Sequence, residues 1–318
     1  MVNSEFKVSV LIAVYNAEHY ITKAVESALA EEEVNEVILI EDASPDNALA
    51  VCKTLAQKYP AVKLLQHPDK KNRGAPASWN LGILHAENDY IAICGADDFF
   101  LPGRFKKDKE IFLNNESVEG VYNAIDAVPL DSFGDTRMDG PNNGMGWLTT
   151  MDRLYAPGEL FEHIGPIGGG GLFSLNGLTV KKSVFEKTGL MDPALRLSQD
   201  TDICIKLAAI CKLMPGQITI PVALYGVHEN NRSHNSETVT TNRPYLFYNL
   251  YKWARRKRLA RSRVFLLWER YYQYYLIVNK PSRKQQLILL SVQGIANPQL
   301  FRSRFFLRQL PLLHRIIS

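Results

Sequence analysis

The sequence predicts an α/β protein with a mostly parallel central sheet flanked by helices, followed by a helical, basic C-terminal region. Short apolar segments alternate with helix-like segments over the first hundred residues. Residues 1–237 contain 21 lysines and arginines against 32 acids, whereas residues 238–318 contain 16 against one, Glu269. The net charge therefore changes from −11 to +15. This change predicts a boundary between a large domain over 1–240 and a distinct region over 241–318.

The alternation begins with Val8–Val14, a continuous apolar segment typical of a strand covered on both faces. A helical stripe of apolar residues follows over 17–31. Repeated β-α units of this length favour parallel strands with right-handed crossovers. The further predicted strands are 34–40, 62–65, 90–94, 118–122 and 218–224. The further predicted helices are 45–59, 75–86, 104–115, 181–188 and 200–211, with a strong helical pattern over 245–278.

Several protein classes are disfavoured by composition. No run of about 18 uninterrupted apolar residues predicts a membrane-spanning helix, and the first residues lack the regions of a signal peptide. The four cysteines do not have the spacing of metal ligands. We therefore expect them to be reduced and buried as small apolar side chains in a protein of the cytoplasm. Residues 129–171 are rich in glycine, proline, asparagine and aspartate, and predict a functional or mobile loop in which 165–171 is a candidate lid.

The strongest chemical signal lies in residues 89–98. An apolar strand beginning at Tyr90 ends in Gly95 and Ala96, and two carboxylates, Asp97 and Asp98, follow directly. Ligands bind at this edge of open α/β sheets, and neighbouring carboxylates repel unless a cation such as Mg²⁺ or Mn²⁺ neutralises them. The alternative is an acidic surface turn before the next helix.

Two further strand ends narrow the choice of ligand. The first β-to-α turn lacks both G-x-G-x-x-G and the G-x-x-x-x-G-K-[ST] loop, which argues against a dinucleotide-binding Rossmann domain. The second strand ends at Asp42, which is placed to accept hydrogen bonds from a base or a ribose at the sheet edge.

Taken in order, these motifs resemble those of the family-2 glycosyltransferases of the GT-A fold, over about residues 1–235. The resemblance implies a GT-A type nucleotide-sugar-binding domain and inverting sugar transfer from a nucleotide-diphosphate donor, a UDP-sugar by default. It also implies a divalent metal, Mn²⁺ or Mg²⁺, on the diphosphate. The segments that carry the likeness are VSVLIAVYN (8–16), EDASPD (41–46), NRG (72–74), NLGI (80–83), ADD (96–98), VKKSVFEKTGLMD (180–192) and QDTD (199–202).

The same resemblance implies the roles of individual residues. Asp98 is expected on the metal, and His228 is a further candidate ligand, with an ordinary surface histidine as its alternative. Gly95 stands where many relatives have an acid, and Gln199 stands where an acid usually precedes the catalytic aspartate. The donor is expected to contact Ala13, Tyr15, Asp42, Arg73, Asn80 and Asp97.

Inversion requires a base that takes the proton of the acceptor hydroxyl as it attacks, and one carboxylate suffices. The resemblance assigns this role to Asp200 at the start of a predicted helix, where an N-cap is the alternative. Asp202 is expected to support the site or the acceptor.

The C-terminal region from Lys252 interleaves cations with tryptophan and tyrosine, a composition typical of a bilayer surface. We expect a glycan or lipid-linked acceptor, an anionic membrane surface contacted through 252–318, and a cytoplasmic, peripheral protein of polysaccharide biosynthesis. No nucleic-acid partner is expected, since no such motif is present. Packing of these helices on the protein or on a second subunit remains the alternative. A non-catalytic nucleotide-sugar or membrane-binding protein and a nucleotidyltransferase are the other function classes.

Overall fold

A computed structural model describes residues 5–138, 148–195, 197–231, 236–282, 284–286, 288–289 and 291. The chain divides between residues 235 and 236 into two compact units, the first α/β and the second helical. The predicted α/β class with a mostly parallel sheet is confirmed.

The helices and strands lie close to the segments that the hydrophobic pattern predicts. The strands are β1 (Val8–Val14), β2 (Val34–Glu41), β3 (Val62–Gln66), β4 (Tyr90–Ile93), β5 (Phe99–Phe100), β6 (Gly120–Tyr122), β7 (Asp126–Pro129), β8 (Leu178–Lys181), β9 (Leu213–Pro215) and β10 (Ala223–Val227). The helices are α1 (Ile21–Leu29), α2 (Ala48–Lys58), α3 (Ala75–His85), α4 (Lys106–Asn114), α5 (Ser132–Met138), α6 (Leu160–His163), α7 (Gly165–Gly168), α8 (Val184–Thr188), α9 (Gln199–Ile210), α10 (Ser236–Arg256) and α11 (Arg261–Asn279).

The main sheet has the strand order β3-β2-β1-β4-β8-β6-β9. The strands from β3 to β4 are parallel, and β8 runs antiparallel to both of its neighbours. The chain proceeds outward from β1 through β2 to β3 and then returns to the other side of β1 as β4. This reversal places a topological switch point between β1 and β4, where open α/β sheets bind ligands.

A second sheet has the strand order β5-β10-β7, and its first strand, β5, follows β4 directly in the chain. It pairs Phe99 and Phe100, which directly follow Asp98, with Ala223 and Leu224. The end of β10 is thereby brought to the end of β4, although the two segments are more than a hundred residues apart. The predicted strand over 218–224 lies instead at Ala223–Val227, and Ile220 is 60% exposed.

The glycine-rich segment 165–171 is folded back on itself. Gly165 N donates to Gly171 O (2.6 Å), and Gly170 N donates to His163 O (2.8 Å). A β-carbon on Gly168 would lie 2.0 Å from Glu162 O, and one on Gly171 would lie 2.3 Å from Thr150 O. These glycines are therefore needed because two backbone segments touch, and a short helix, α7, occupies the segment expected as a candidate lid.

The second unit is a pair of helices, α10 and α11, joined by a short turn. Aromatic rings pack between them, with ring centroids 5.4 Å apart for Phe247 and Tyr274 and 5.2 Å apart for Tyr248 and Tyr271. Within the described part of the chain, we find no helix that combines the length and the apolar character needed to cross a membrane.

Candidate functional site

Polar side chains gather at the switch point, where β4 and β10 end. Asp97 Oδ2 lies 3.0 Å from His228 Nε2, and Asn231 Nδ2 donates to the same oxygen at 3.2 Å. The Asp97 side chain is 30% exposed and that of His228 is 5% exposed. The ring of Tyr20, which precedes α1, packs on the imidazole with centroids 4.8 Å apart. The carboxylate of Asp97 therefore faces solvent beside a nearly buried imidazole.

Asp98 occupies a different environment from Asp97 and is buried beneath the turn. Its Oδ1 accepts from Gly226 N (2.8 Å), and its Oδ2 accepts from Asn176 Nδ2 (2.6 Å). Burial raises the pKa of the Asp98 carboxyl well above its usual range, and the charge of Asp97 raises it further. Gly95 provides the space, since a β-carbon there would lie 2.1 Å from Asp98 Oδ2. Asp98 thus holds the turn to β10 instead of facing solvent.

A buried polar network continues below Asp98. Asn176 Oδ1 accepts from Gly95 N (3.1 Å), and Asn176 O accepts from Arg104 Nε (3.1 Å). The fully buried guanidinium of Arg104 pairs with Asp108 at 2.8 Å. Burial raises the pKa of Asp108, while the Arg104 charge and the Thr179 hydroxyl oppose that rise. This network supports the turn from inside the domain, and the sequence analysis did not find it because its members share no motif.

The predicted donor residues lie on both sides of β1. Ala13 is partly buried near the end of β1, and Tyr15 is 50% exposed just after it. Asp42 is buried, and its two oxygens accept from the backbone N–H groups of Arg73 and Gly74, each at 2.7 Å. Asp42 thereby fixes the loop before α3 at the sheet edge.

Arg73 and Asn80 have partners within the protein. The Arg73 guanidinium forms two hydrogen bonds to Asp69, at 2.8 and 3.2 Å. The Asn80 amide binds the backbone of Met191 twice, donating to its carbonyl at 2.8 Å and accepting from its N–H at 2.9 Å. Asn80 therefore ties α3 to the segment that leads to α9.

Asp200, the predicted base, is exposed in the first turn of α9. Its Oδ1 accepts from Thr201 N at 2.7 Å. One turn further, Cys204 Sγ contacts Phe173 O at 3.7 Å, three residues before the Asn176 that holds Asp98. The middle of α9 therefore contacts the segment that includes Asn176.

Asp202, which the sequence analysis expects to support the site, lies on the buried side of α9. It forms an ion pair with Lys206 at 2.6 Å, and both residues are buried. Burial raises the pKa of the Asp202 carboxyl, and the Lys206 charge opposes that rise. This ion pair lies within α9 itself, and support of the site or the acceptor by Asp202 stays a prediction.

The fit of a divalent cation can be judged from these side chains. Among the described residues, no group of three or more His, Cys, Asp or Glu side chains could hold a metal. Mg²⁺ is often bound by one or two protein ligands together with substrate phosphates and water. Two adjacent ligands of an octahedral ion, each about 2.1 Å away from it, lie about 3.0 Å apart. The Asp97 Oδ2 and His228 Nε2 atoms are separated by 3.0 Å, the distance of the hydrogen bond between them. The two atoms could become adjacent ligands of such an ion once the hydrogen between them is lost.

Comparison with known proteins decides the family. Residues 9–166 match the sequence profile described as Glycosyl transferase family 2. The chain belongs to this family. The family identified from the sequence motifs is thereby confirmed.

Two curated relatives match just under half of the chain. The minor teichoic acid biosynthesis protein GgaB of Bacillus subtilis is 31% identical over 161 residues, which are 49% of this chain and 17% of GgaB. The putative glycosyltransferase EpsE of the same organism is 40% identical over 134 residues, 42% of this chain and 47% of EpsE. This chain thus spans less than half the length of either relative.

Solved structures share the fold. Residues 1–349 of S. aureus TarS superpose with a TM-score of 0.60 at 14% identity, covering 96% of this chain and 77% of that one. The mannosyltransferase PcManGT from Pyrobaculum calidifontis, solved with GDP-Man and Mn²⁺, gives 0.53 at 14% identity, covering 98% and 85%. These likenesses confirm the GT-A-like α/β fold.

The contrast between the two aspartates is testable by stability. An asparagine at 97 can still accept from His228 and Asn231 through its oxygen, so we expect Asp97→Asn to change the free energy of unfolding by less than about 0.5 kcal/mol. An asparagine at 98 can accept from only one of the two donors that bind Asp98, so Asp98→Asn should lower the free energy of unfolding by about 1–3 kcal/mol. Urea unfolding of the metal-free protein measures both, and equal effects would contradict the burial of Asp98.

Proposed function

We propose that this protein is an inverting glycosyltransferase that moves a sugar from a nucleoside-diphosphate donor to an acceptor hydroxyl with the help of a divalent cation. The observation that carries the proposal is the Asp97–His228 pair, 3.0 Å apart at the topological switch point. Membership of family 2 supports the reaction class.

The proposed cation ligands are Asp97 and His228. His228 keeps the role expected from the sequence, but the carboxylate ligand is assigned to Asp97, because the Asp97 side chain is partly exposed whereas Asp98 is buried beneath the turn. When bound, Mn²⁺ or Mg²⁺ would stabilise the negative charge that gathers on the departing diphosphate. Asp98 contributes by holding the turn that carries Asp97.

The nucleoside is proposed to lie across the ends of β1 and β2. Tyr15 offers an exposed ring there, and Asp42 fixes the adjoining loop through the backbone N–H groups of Arg73 and Gly74. One solved TarS structure contains UDP-GlcNAc, and PcManGT contains GDP-Man. We infer a UDP-hexose or UDP-N-acetylhexosamine donor, with Ala13 close enough to the edge of β1 to contact the base.

Asp200 is the proposed general base. An exposed carboxylate can meet an incoming acceptor hydroxyl, and α9 contacts Phe173, which lies three residues before the Asn176 that binds Asp98. The base removes the hydroxyl proton as the oxygen attacks the anomeric carbon opposite the diphosphate. The transition state resembles the oxocarbenium ion of glycoside hydrolysis.

The acceptor is proposed to be a glycan or a lipid-linked sugar at the cytoplasmic face of an anionic membrane. Residues 252–263 contain seven cations and no acid. Six of these cations are exposed: Lys252, Arg255, Arg256, Lys257, Arg258 and Arg261. The surface at the turn between α10 and α11 is therefore suited to anionic lipid. The rest of the predicted 252–318 surface lies largely outside the described residues.

The metal assignment is tested by nucleotide binding. We expect Asp97→Asn and His228→Gln each to reduce the enhancement of UDP binding by Mn²⁺ at least tenfold, roughly the loss seen when support of a metal site is removed. UDP affinity without metal should stay unchanged. Calorimetric titration with and without Mn²⁺ measures both, and the exposed neighbour Glu229 provides the control Glu229→Gln. Wild-type metal dependence in both variants would refute the assignment.

The base is tested by turnover. Asp200→Asn should lower kcat by about 10²-fold or more, the scale of a positioned general base, with donor affinity unchanged. Asp135, also exposed in the first turn of a helix, provides the control Asp135→Asn. A near-normal kcat in Asp200→Asn would leave this residue as an acid in the first turn of α9, whose N-cap is Ser198. An inactive wild-type protein that still binds UDP-sugar would instead favour the non-catalytic class.

Membrane docking is tested by flotation with phosphatidylglycerol vesicles. Each cation near such a surface contributes about 1 kcal/mol, so neutralising Arg255, Arg256 and Lys257 to glutamine should weaken binding roughly a hundredfold. Binding should also fall at high salt, because the Debye length shortens. Glutamine at Lys53, Lys70 and Lys71 of the first unit, which are also exposed, is the control. No binding of the wild-type protein at low salt would remove the membrane from the proposal.

A further inference from the structure

We propose that Asn231 is a positioning residue that holds Asp97 and His228 in their cation-binding arrangement. This inference rests on the proposed function, since it concerns the same pair. Nothing in the sequence motifs points to Asn231, which lies three residues after His228 in a turn.

The side-chain amide of Asn231 contacts both proposed ligands. Its Nδ2 donates to Asp97 Oδ2 at 3.2 Å and to Gly226 O at 3.1 Å. Its Oδ1 accepts from the backbone N–H of His228 at 2.7 Å. Asn231 is 8% exposed, so these contacts are largely shielded from water. Because one amide joins Asp97, in the turn after β4, to His228, directly after β10, a shift of either ligand breaks one of its bonds.

The orientation of the amide is determined by its surroundings. If its oxygen and nitrogen exchanged places, the oxygen would face the Asp97 carboxylate and the Gly226 carbonyl, while the NH₂ would face the His228 N–H. The backbone reinforces the observed orientation, because Asn231 N donates to His228 O at 3.1 Å and closes the turn. Asn231 therefore presents a donor to Asp97 in one arrangement only.

The Asn231 donor also has a role that the direct contact between the ligands cannot fulfil. A ligating imidazole nitrogen carries no proton, so the hydrogen bond from His228 Nε2 to Asp97 must be given up when a cation binds. The hydrogen bond from Asn231 is compatible with both states, because a carboxylate oxygen has more than one lone pair. It therefore keeps the carboxylate in place while the imidazole changes partner.

Two variants separate positioning from mere support of the turn. Asn231→Ala removes all of the side-chain contacts. Asn231→Ser keeps the backbone bond from Asn231 N to His228 O that closes the turn, but its hydroxyl is one atom shorter than the amide that contacts Asp97. Asn230→Ala is the matched control, because Asn230 is the same residue type in the same turn and is exposed.

The readout is the affinity for Mn²⁺ in the presence of UDP, followed by the electron paramagnetic resonance signal of free Mn²⁺. We expect Asn231→Ala and Asn231→Ser to weaken Mn²⁺ binding about 10- to 100-fold, the effect typical of residues that orient metal ligands. UDP affinity without metal and the circular dichroism spectrum should match those of Asn230→Ala.

The outcomes distinguish this inference from the proposed function through a parallel titration of His228→Gln. If His228→Gln weakens Mn²⁺ binding but Asn231→Ser stays within about twofold of Asn230→Ala, the positioning role is wrong and the metal site stands. If Mn²⁺ and UDP bind the wild-type protein independently, the metal site and the positioning role both fall. If Asn231→Ala does not fold, the Mn²⁺ affinity of Asn231→Ser relative to that of Asn230→Ala tests the positioning role.

Discussion

The buried carboxylate of Asp98 is the contact on which the geometry of the switch point depends. Its two oxygens join the turn after β4 to β10 on one side and to Asn176 on the other. Burying a carboxylate is costly unless hydrogen bonds compensate for the lost water, and two short bonds from neutral donors do so here. With Asp98 beneath the turn, the preceding side chain, Asp97, is directed toward His228 and solvent.

Much of the candidate site consists of polar groups that hold loops in place. Asp42 binds the backbone before α3, Asn80 binds Met191, and Asn176 binds Gly95. Few of the proposed contacts to substrate are exposed, chiefly Tyr15, Asp97 and Asp200. Since buried hydrogen-bonded groups move little, the exposed ones are presented by a pre-formed edge, which reduces the cost of ordering them when donor and acceptor bind.

The order of most strands and helices could be predicted from sequence, because long apolar runs are local signals. The sheet edge that carries the site could also be predicted, because its acids directly follow those runs. The sequence could not determine which aspartate faces solvent. That choice depends on Gly226 and Asn176, which lie 128 and 78 residues away from Asp98. The strands β5, β7, β8 and β9 were also not predicted, because segments of two to four residues show no usable periodicity. Roles expected for Arg73 and Asn80 came from the family motif, whereas their contacts here are with Asp69 and Met191.

The pairing of β4 with the end of β10 has a consequence for how the protein is made. Asp97 and His228 are separated by 131 residues, and Asp98 and Gly226 by 128. Contacts between such distant residues form late, because a long loop must close first. A nascent chain that has emerged only through the family-matched segment, residues 9–166, contains most of the parallel strands but neither partner of the aspartate pair. The proposed cation site is therefore complete only after residues 226–231 have docked, later than the parallel strands form.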